Sequence, residues 1–222
     1  MFDRELYRKE HDEIYSIYRA KYADRKSLLI SDGVVDSEHY AGILFLLKEA
    51  YSRDQEFGEW DLAKGLADKG PWGMWHHVAK WTYGLLNTDE TCIAPFRDFN
   101  WDMRNAMLRR IAVVNVKKVN GVSTSESDDL EQYVQNNTDL LRREITHVKP
   151  KIIICGGTYD FLKEIFGLKI NQTCDNLYYW IDLGMGEKVL VVDYYHPAAR
   201  YPEILSYYGL VNIYQQALIN NR

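Results

Sequence analysis

The sequence is poor in cysteine, with three in 222 residues. Cys92, Cys155 and Cys174 lie far apart, without the paired spacing of a metal-binding motif, and Cys155 ends an apolar run. This pattern favours reduced structural thiols over a disulfide framework. The adjacent His76 and His77 have no second cluster of metal ligands in the sequence, which argues against a metal site. We therefore expect neither a metal nor another cofactor.

Long apolar runs, internal repeats and low-complexity tracts are also missing. No stretch reaches the roughly 20 apolar residues that a helix needs to span a membrane. The first residues, MFDRELYRKEHDEIY, are too charged for a secretory signal peptide. The size of the chain, with 46% hydrophobic and 27% charged residues, fits one compact α/β domain with a substantial core. We expect a cytoplasmic protein that makes no membrane contact.

An excess of basic residues is absent as well, since the formal net charge is −5. Nucleic-acid binders depend on Lys and Arg contacts to phosphate, so the overall charge argues mildly against DNA. The local pattern differs, because Lys117 and Lys118 follow one predicted strand and Arg200 follows another. Both a small basic crevice on an acidic body and ordinary solvated charges fit these residues.

The chain alternates between strand and helix patterns. Short β-branched and aliphatic runs predict buried parallel strands, and apolar residues at three- and four-residue spacing predict helices. The predicted strands are residues 43–47, 111–116, 149–157 with a closing glycine turn, and 188–192; the predicted helices are residues 4–24, 60–66, 75–85, 99–109, 130–147, 158–166 and 202–218. The run 188–192 fits a fourth parallel strand or a hairpin with 177–181. Repeated strand, helix, strand units imply a sheet with both faces covered.

Three predicted strands end in polar side chains suited to chemistry. Glu49 follows the first strand, Asn115 lies near the end of the second, and His196 follows the last. Ligand sites in open α/β sheets lie at such carboxyl ends, so these side chains should converge. A carboxylate, an amide and an imidazole together are suited to recognising a nucleobase and helping it leave as an anion.

These segments carry a family resemblance. YHPAAR, residues 195–200, resembles the His-Pro motif after the last strand of the uracil-DNA glycosylase superfamily. VVNVKK resembles the strand of that family that ends in Asn and Lys, and KPKIIICGG resembles its Lys-Pro strand with a glycine turn. The resemblance implies a three-layer α/β/α sandwich around a mainly parallel four-stranded sheet. It implies one domain over residues 1–222, with residues 1–40 as an N-terminal helical addition.

The resemblance also implies residue roles. His196 would stabilise the departing base, and Asn115 would read its edge. The nucleic-acid-binding residues would be Lys117, Lys118, Pro197, Ala199 and Arg200. Taken alone, His196 also fits a turn histidine, and Asn115 fits a strand-end residue. The four-cysteine iron-sulfur pattern of some superfamily members is absent from this chain.

The first motif departs from the family pattern, which has forms such as GQDPY and GEAPG. This chain has KEAYS at residues 48–52, with Lys48 in place of Gly and Tyr51 in place of Pro. Glu49 and Ala50 match the GEAPG form, whereas the catalytic Asp of the GQDPY form would fall on Ala50. Asp54, or Glu56 nearby, could supply the carboxylate instead. We expect Ala50 and Tyr51 to contact the substrate, and Glu49 is also compatible with a solvated loop position.

An aromatic residue for stacking on a flipped base has a candidate in KGPWGMW, residues 69–75. Trp72 follows a turn that resembles a Pro-Phe-Gly version in the family, and stacking is worth roughly 1 to 3 kcal/mol per base. With six Trp and seventeen Tyr in the chain, a core or surface position for Trp72 is an equal alternative.

Two functions of different classes fit the sequence. The first is an N-glycosidase that removes uracil or another damaged base from nucleic acid, with DNA as the expected partner. The second is a non-catalytic module that binds nucleic acid or a nucleotide. A carboxylate from Glu49 or Asp54 aimed into the crevice would favour the enzyme. Lys48 or Tyr51 filling the crevice would favour binding alone.

Overall fold

The computed structural model describes residues 2–24, 29–50, 59–120, 127–169 and 177–221. Over these ranges the chain is a mixed α/β protein with seven helices and a mostly parallel sheet of six strands. The helices are α1 Arg4–Lys21, α2 Leu62–Lys69, α3 Trp75–Asn87, α4 Trp101–Leu108, α5 Ser127–Val148, α6 Tyr159–Phe166 and α7 Glu203–Ile219. The strands are β1 Ile30–Ser31, β2 Gly33–Val34, β3 Ile43–Glu49, β4 Trp60–Asp61, β5 Ile111–Lys117, β6 Ile152–Gly156, β7 Tyr178–Asp182 and β8 Lys188–Tyr194. No helix in these ranges is long and apolar enough to cross a membrane.

The six-stranded sheet has the order β2-β5-β3-β6-β8-β7. Strands β5, β3, β6 and β8 pair in parallel, while β2 and β7 pair antiparallel at the two edges. The sheet is therefore wider than the four strands expected from the sequence, because two short antiparallel strands extend it. Both alternatives for residues 188–192 hold, since β8 forms a hairpin with β7 and also pairs in parallel with β6.

Helices pack against both faces of the sheet because successive side chains of each strand point to opposite faces. Phe45 and Leu47 of β3 belong to an apolar cluster with residues of α2, α3 and α7. Leu44 and Leu46 belong to a second cluster with residues of α5 and α6. Each such side chain stabilises the fold by roughly 1.5 to 3 kcal/mol relative to an exposed position. The continuous apolar runs of the sequence thus produce strands that are buried on both sides.

The connections of the sheet define where a ligand site is expected. The connection that leaves β3 runs through α2 and α3, which pack on the first face. The connection that leaves β6 runs through α6, which packs on the second face. Neighbouring parallel strands whose connections go to opposite faces form a topological switch point, and ligands bind outside their carboxyl ends. The switch point of this sheet lies between β3 and β6.

The N-terminal segment does more than add a helix. Helix α1 begins at an N-cap, where the Asp3 side chain accepts a hydrogen bond from the Leu6 N–H at 3.0 Å. Tyr15 and Tyr18 of α1 pack in a third apolar cluster with Tyr133 of α5. Strand β2 extends the main sheet beside β5. Residues from the predicted helical addition therefore contribute to the sheet and to the core.

Candidate functional site

The carboxyl ends of β3, β6 and β8 pack closely together. Gly156 allows this contact, because a Cβ atom there would lie 2.7 Å from Leu47 Cδ2 and 3.3 Å from Pro197 Cδ. Gly157 follows with φ +67°, a left-handed conformation that favours glycine, and its N–H donates to the Tyr194 carbonyl at 2.8 Å. The glycine turn after β6 thus joins three strand ends at one place. We call this place the carboxyl edge.

His196 lies at the carboxyl edge, directly after β8, and is partly buried. Its Nδ1 accepts a hydrogen bond from the backbone N–H of Ala198 at 3.2 Å. Burial and, as the smaller effect, the positive charge of Lys48 together lower the pKa of His196 to about 4. The imidazole is therefore neutral near pH 7. With Nδ1 accepting, the ring proton is on Nε2, which can donate to a ligand.

Lys48 lies near the end of β3, beside the glycine turn that also packs against His196. Its Cε atom would be 3.7 Å from a Cβ atom on Gly157, so the glycine turn leaves an ordinary van der Waals space for the lysine chain. Among the residues that the structure describes, no carboxylate forms an ion pair with Lys48. Lys48 thus places a positive charge near His196.

Glu49 forms an ion pair with Lys117 rather than with Lys48. Its Oε2 lies 3.1 Å from the Nζ of Lys117, and its side chain is only 4% exposed. Lys117 also pairs with Asp129 of α5. Burial disfavours the charged form of Lys117, but the hydrogen bonds that it donates to Asp129 and Glu49 outweigh this effect and raise the pKa of the lysine. The two predicted site residues Glu49 and Lys117 are therefore partners of each other, in register on β3 and β5.

Asn115 is buried and bonded to Asp32, a residue of the turn between β1 and β2. Asp32 Oδ2 accepts from the Asn115 backbone N–H at 2.8 Å and from its side-chain Nδ2 at 2.9 Å. One Nδ2 proton of the predicted base-reading amide is thus committed to Asp32. The orientation of the amide plane is fixed by this pair of bonds.

The position of Lys118 contradicts its predicted role in nucleic-acid binding. Its side chain is 0% exposed, and its Nζ donates to Asp32 at 2.7 Å and to Glu144 at 2.9 Å. Tyr15 donates to the same two carboxylates. The side chain of Lys118 is buried between the sheet and helices α1 and α5, so a phosphate cannot reach it in this fold. We call Asp32, Asn115, Lys118, Glu144 and Tyr15 the buried polar network.

The buried polar network holds two carboxylates near one lysine, which perturbs their titration. Burial raises the pKa of Glu144 to about 8; Lys118 opposes this rise, and the negative charge of Asp32 adds to it. For Lys118 burial favours the neutral amine, but the two carboxylates outweigh it and raise its pKa. Near neutral pH the lysine is therefore charged and Glu144 carries much of a proton.

The loop after His196 is held by α3 and α7. His77 Nδ1 donates to the Pro197 carbonyl at 2.9 Å, and its Nε2 lies 3.8 Å from the Glu203 carboxylate. Glu203 also accepts from the buried Lys80 at 2.8 Å. The neighbouring His76 accepts a hydrogen bond from Arg104 at 3.0 Å. Both adjacent histidines thus make contacts within the fold.

The remaining predicted site residues have different surroundings. Trp72 is 40% exposed, lies edge-on to Trp75 with ring centroids 6.4 Å apart, and rests against Gly65. Ala50 is partly buried against the first apolar cluster. Pro197 is buried, Ala199 is half-buried and Arg200 is exposed on the same loop. Tyr51 and Asp54 lie outside the described residues.

The contacts divide the predicted site into three groups. Lys48 and His196 both lie beside the glycine turn at the carboxyl edge, Glu49 pairs with Lys117, and Asn115 belongs to the buried polar network. Sequence reasoning missed Asp32 as the partner of Asn115. The only signal was an aspartate in the short SDGVV segment, where a turn residue is the ordinary interpretation.

In the described ranges, no group of three or more His, Cys, Asp or Glu side chains is placed to hold a metal ion. The carboxyl edge brings together the imidazole of His196 and the side chain of Lys48. No protein-family model matches the chain, and no curated protein matches its sequence.

Proposed function

We propose that this protein hydrolyses the N-glycosidic bond of uracil or another damaged base in nucleic acid, with His196 as the donor to the departing base. The observation that carries the proposal is the hydrogen bond from the Ala198 N–H to His196 Nδ1. It leaves a proton on Nε2 of a neutral imidazole at the carboxyl edge, beside the switch point of the sheet. The three-layer sandwich of the uracil-DNA glycosylase type belongs to the same proposal.

The chemistry follows from the way a base leaves a sugar. As the bond from the base nitrogen to C1′ breaks, negative charge develops on the base and positive charge on the sugar. A preorganised N–H donor stabilises the developing anion without reorganising during the reaction. A neutral imidazole can serve as this donor over the whole range above its low pKa. His196 therefore needs no proton from solvent to act near pH 7.

Two further groups support recognition and hydrolysis. Asp32 fixes the amide of Asn115, and a fixed amide selects the hydrogen-bonding edge of a base. The carboxylate that would stabilise the sugar or orient water is Glu49 or Asp54. Glu49 would have to turn from Lys117 to do so.

The direct test is cleavage. We would incubate the protein with oligonucleotides that each carry one damaged or deaminated base, and cut abasic sites with alkali. Under single-turnover conditions, His196→Ala should lower cleavage by roughly 10² or more, as removal of a preorganised donor does in other enzymes. The control is His39→Ala, since His39 precedes the amino end of β3, on the opposite edge of the sheet. Absence of cleavage on every oligonucleotide, or equal rates for His196→Ala and the parent, would refute the proposal.

The second candidate is a non-catalytic module that binds nucleic acid or a nucleotide. The ion pair between Glu49 and Lys117 favours it, because the carboxylate expected for catalysis is already neutralised. Binding of an oligonucleotide without release of its base, under conditions in which the parent is folded, would select this candidate.

The salt dependence of binding tests whether nucleic acid is the partner. Arg200 is exposed on the loop after β8, whereas Lys188 is exposed at the amino end of the same strand. If Arg200 contacts one phosphate, Arg200→Ala should reduce the slope of log affinity against log salt by roughly 1. Lys188→Ala should leave the slope unchanged. Salt-independent binding, or turnover on free nucleosides alone, would exclude nucleic acid as the substrate.

A further inference from the structure

The starting observation is the position of Lys48 in the sheet. Strand alternation puts Lys48 on the same face of β3 as Leu46, whose carbonyl accepts from the Thr158 hydroxyl at 2.7 Å. Lys48 Cε also lies near Gly157. The lysine therefore extends along the glycine turn of β6 towards the start of α6. The N-cap of α6 makes no side-chain hydrogen bond, so the helix adds its positive end to the same region.

The second observation is that Lys48 and His196 act on each other. A Cβ atom on Gly156 would lie 3.5 Å from the His196 Cα, and one on the next residue, Gly157, would lie 3.7 Å from the Lys48 Cε, so both residues lie beside the same glycine turn. In agreement with this position, the charge of Lys48 helps to lower the pKa of His196. The imidazole Nδ1 is engaged by Ala198, so its free donor is Nε2. The carboxyl edge thus offers one fixed N–H donor and one cation from the ends of β8 and β3, the two strands that flank β6.

The third observation is the missing counter-charge. Lys80, Lys117, Lys118 and Lys163 each form an ion pair with a carboxylate. Within the described ranges Lys48 has no such partner, although it is only partly exposed. The charge of a partly buried lysine without an ion-pair partner is stabilised when a ligand with a negative charge binds beside it.

We propose that the ammonium of Lys48 and the Nε2–H of His196 together form a binding site for the anion of the departing base, a flat heterocycle with delocalised charge. This inference rests on the proposed function, and it makes Lys48 a catalytic residue. When the bond to C1′ breaks, both electrons of the bond go to the base nitrogen. The charge delocalises onto the ring oxygens, which Lys48 and His196 stabilise. Water then adds to C1′ and releases its proton to solvent.

The first test needs no turnover. In the parent and in Lys48→Met and Lys48→Arg variants, the pKa of His196 is measured by NMR titration of its ring protons. Removal of the charge should raise the His196 pKa in Lys48→Met, and retention of a positive charge should keep the parent value in Lys48→Arg. The matched control is Lys188→Met, which removes an exposed lysine from the amino end of β8. An unchanged His196 pKa in Lys48→Met would overturn the site.

The second test uses the free bases uracil, thymine, hypoxanthine and xanthine as probes. Binding of at least one of them to the parent should tighten from about pH 6 to about pH 9, where more of the base is ionised and lysine keeps its charge. Lys48→Met should bind roughly tenfold or more weakly at the higher pH. No binding by any of the four bases, or equal binding by Lys48→Met, would overturn the inference.

The third test separates the inference from the proposed function. On an oligonucleotide that the parent cleaves, Lys48→Met should slow single-turnover release by roughly 10², while Lys48→Arg should retain most activity. If Lys48→Met cleaves at the parent rate, the glycosidase stands and the inference fails. If the parent binds a base in a Lys48-dependent way but cleaves no oligonucleotide, the anion site stands and the glycosidase fails.

Discussion

A single carboxylate oxygen of Asp32 accepts two hydrogen bonds from Asn115. The Oδ2 of Asp32 accepts from both the backbone N–H and the side-chain Nδ2 of Asn115, at 2.8 and 2.9 Å. Its Oδ1 accepts from Lys118 at 2.7 Å. One buried carboxylate therefore links the orientation of a candidate recognition residue to the neutralisation of a buried cation. The first two predictions concern this link.

Asp32→Ala should strongly destabilise the protein. The substitution leaves Lys118 buried with a single carboxylate and leaves donors of Asn115 without their acceptor. Breaking a buried ion pair by removing one partner costs about 3 to 5 kcal/mol. We expect a loss of this size in the free energy of unfolding, measured by urea denaturation.

The matched control for Asp32→Ala is Glu38→Ala. Glu38 also forms an ion pair, with Arg4 at 3.4 Å, but both side chains are exposed. Such a surface pair contributes roughly 0 to 1 kcal/mol. Comparable losses in the two variants would show that the buried polar network contributes no more than a surface contact.

Glu144→Gln should change how stability depends on pH. The folded protein holds a proton on Glu144 up to about pH 8, whereas the ordinary value is 4.5. A raised pKa stabilises the fold at low pH, and this contribution is lost as pH rises towards the folded value. Glutamine cannot titrate. The free energy of unfolding of Glu144→Gln, relative to the parent, should therefore increase between about pH 5 and about pH 8.

Glu131→Gln is the control for this measurement, because Glu131 lies exposed on the same helix. Its stability should follow the parent across the pH range. A constant difference between Glu144→Gln and the parent would mean that Glu144 titrates alike in the folded and unfolded chain.

His196 should weaken the fold in acid. Its pKa is about 4 in the folded protein, and unfolded histidine has a pKa of about 6.5. As the pH falls below about 6.5, His196 becomes protonated in the unfolded chain but stays neutral in the folded protein. The free energy of unfolding therefore decreases down to about pH 4, by at most about 3 kcal/mol. His196→Gln removes this loss. We would compare urea denaturation of the variant and the parent at several pH values, and parallel acid profiles would contradict the assignment.

Gly156→Ala should disturb the carboxyl edge directly. The new methyl group would lie 2.7 Å from Leu47 Cδ2, so β3 or the loop of Pro197 must move. Overpacking of this kind costs about 1 to 3 kcal/mol, and here it also displaces His196. Thermal unfolding and an NMR spectrum of the His196 ring would show both effects. Gly65→Ala is the control, because the nearest atom to its Cβ is 3.5 Å away and helix α2 favours alanine.

The regular elements could be predicted because local patterns determine them. Apolar runs located β3, β5, β6 and β8, and periodicity located the long helices α1 and α5 within a few residues. The two-residue strands β1, β2 and β4 left no such pattern. Strands of this length are defined by their partners rather than by their own residues, so the edge strand β2 could not be predicted, whereas β7 corresponds to the hairpin alternative over residues 177–181.

The pairings of the candidate site could not be predicted. Strand ends predicted that Glu49, Asn115 and His196 converge, since parallel strands share their direction, but Glu49 pairs with Lys117 and Asn115 with Asp32. Whether Glu49 points to a ligand or to Lys117 depends on register and alternation across β3 and β5. The burial of Lys118 depends on the docking of α1 more than 90 residues earlier. Such long-range contacts are absent from any local pattern.

The buried polar network also has a consequence for the order of folding. Its members come from α1, the turn before β2, the end of β5 and the middle of α5, so Tyr15 and Glu144 are 129 residues apart in the chain. Contacts of such separation form late, after the entropy of closing the intervening chain has been overcome. We therefore expect the N-terminal segment to join the core after the parallel strands have paired. A fragment that begins at residue 41 would retain all four parallel strands, yet leave Lys118 and Glu144 without Asp32 and Tyr15.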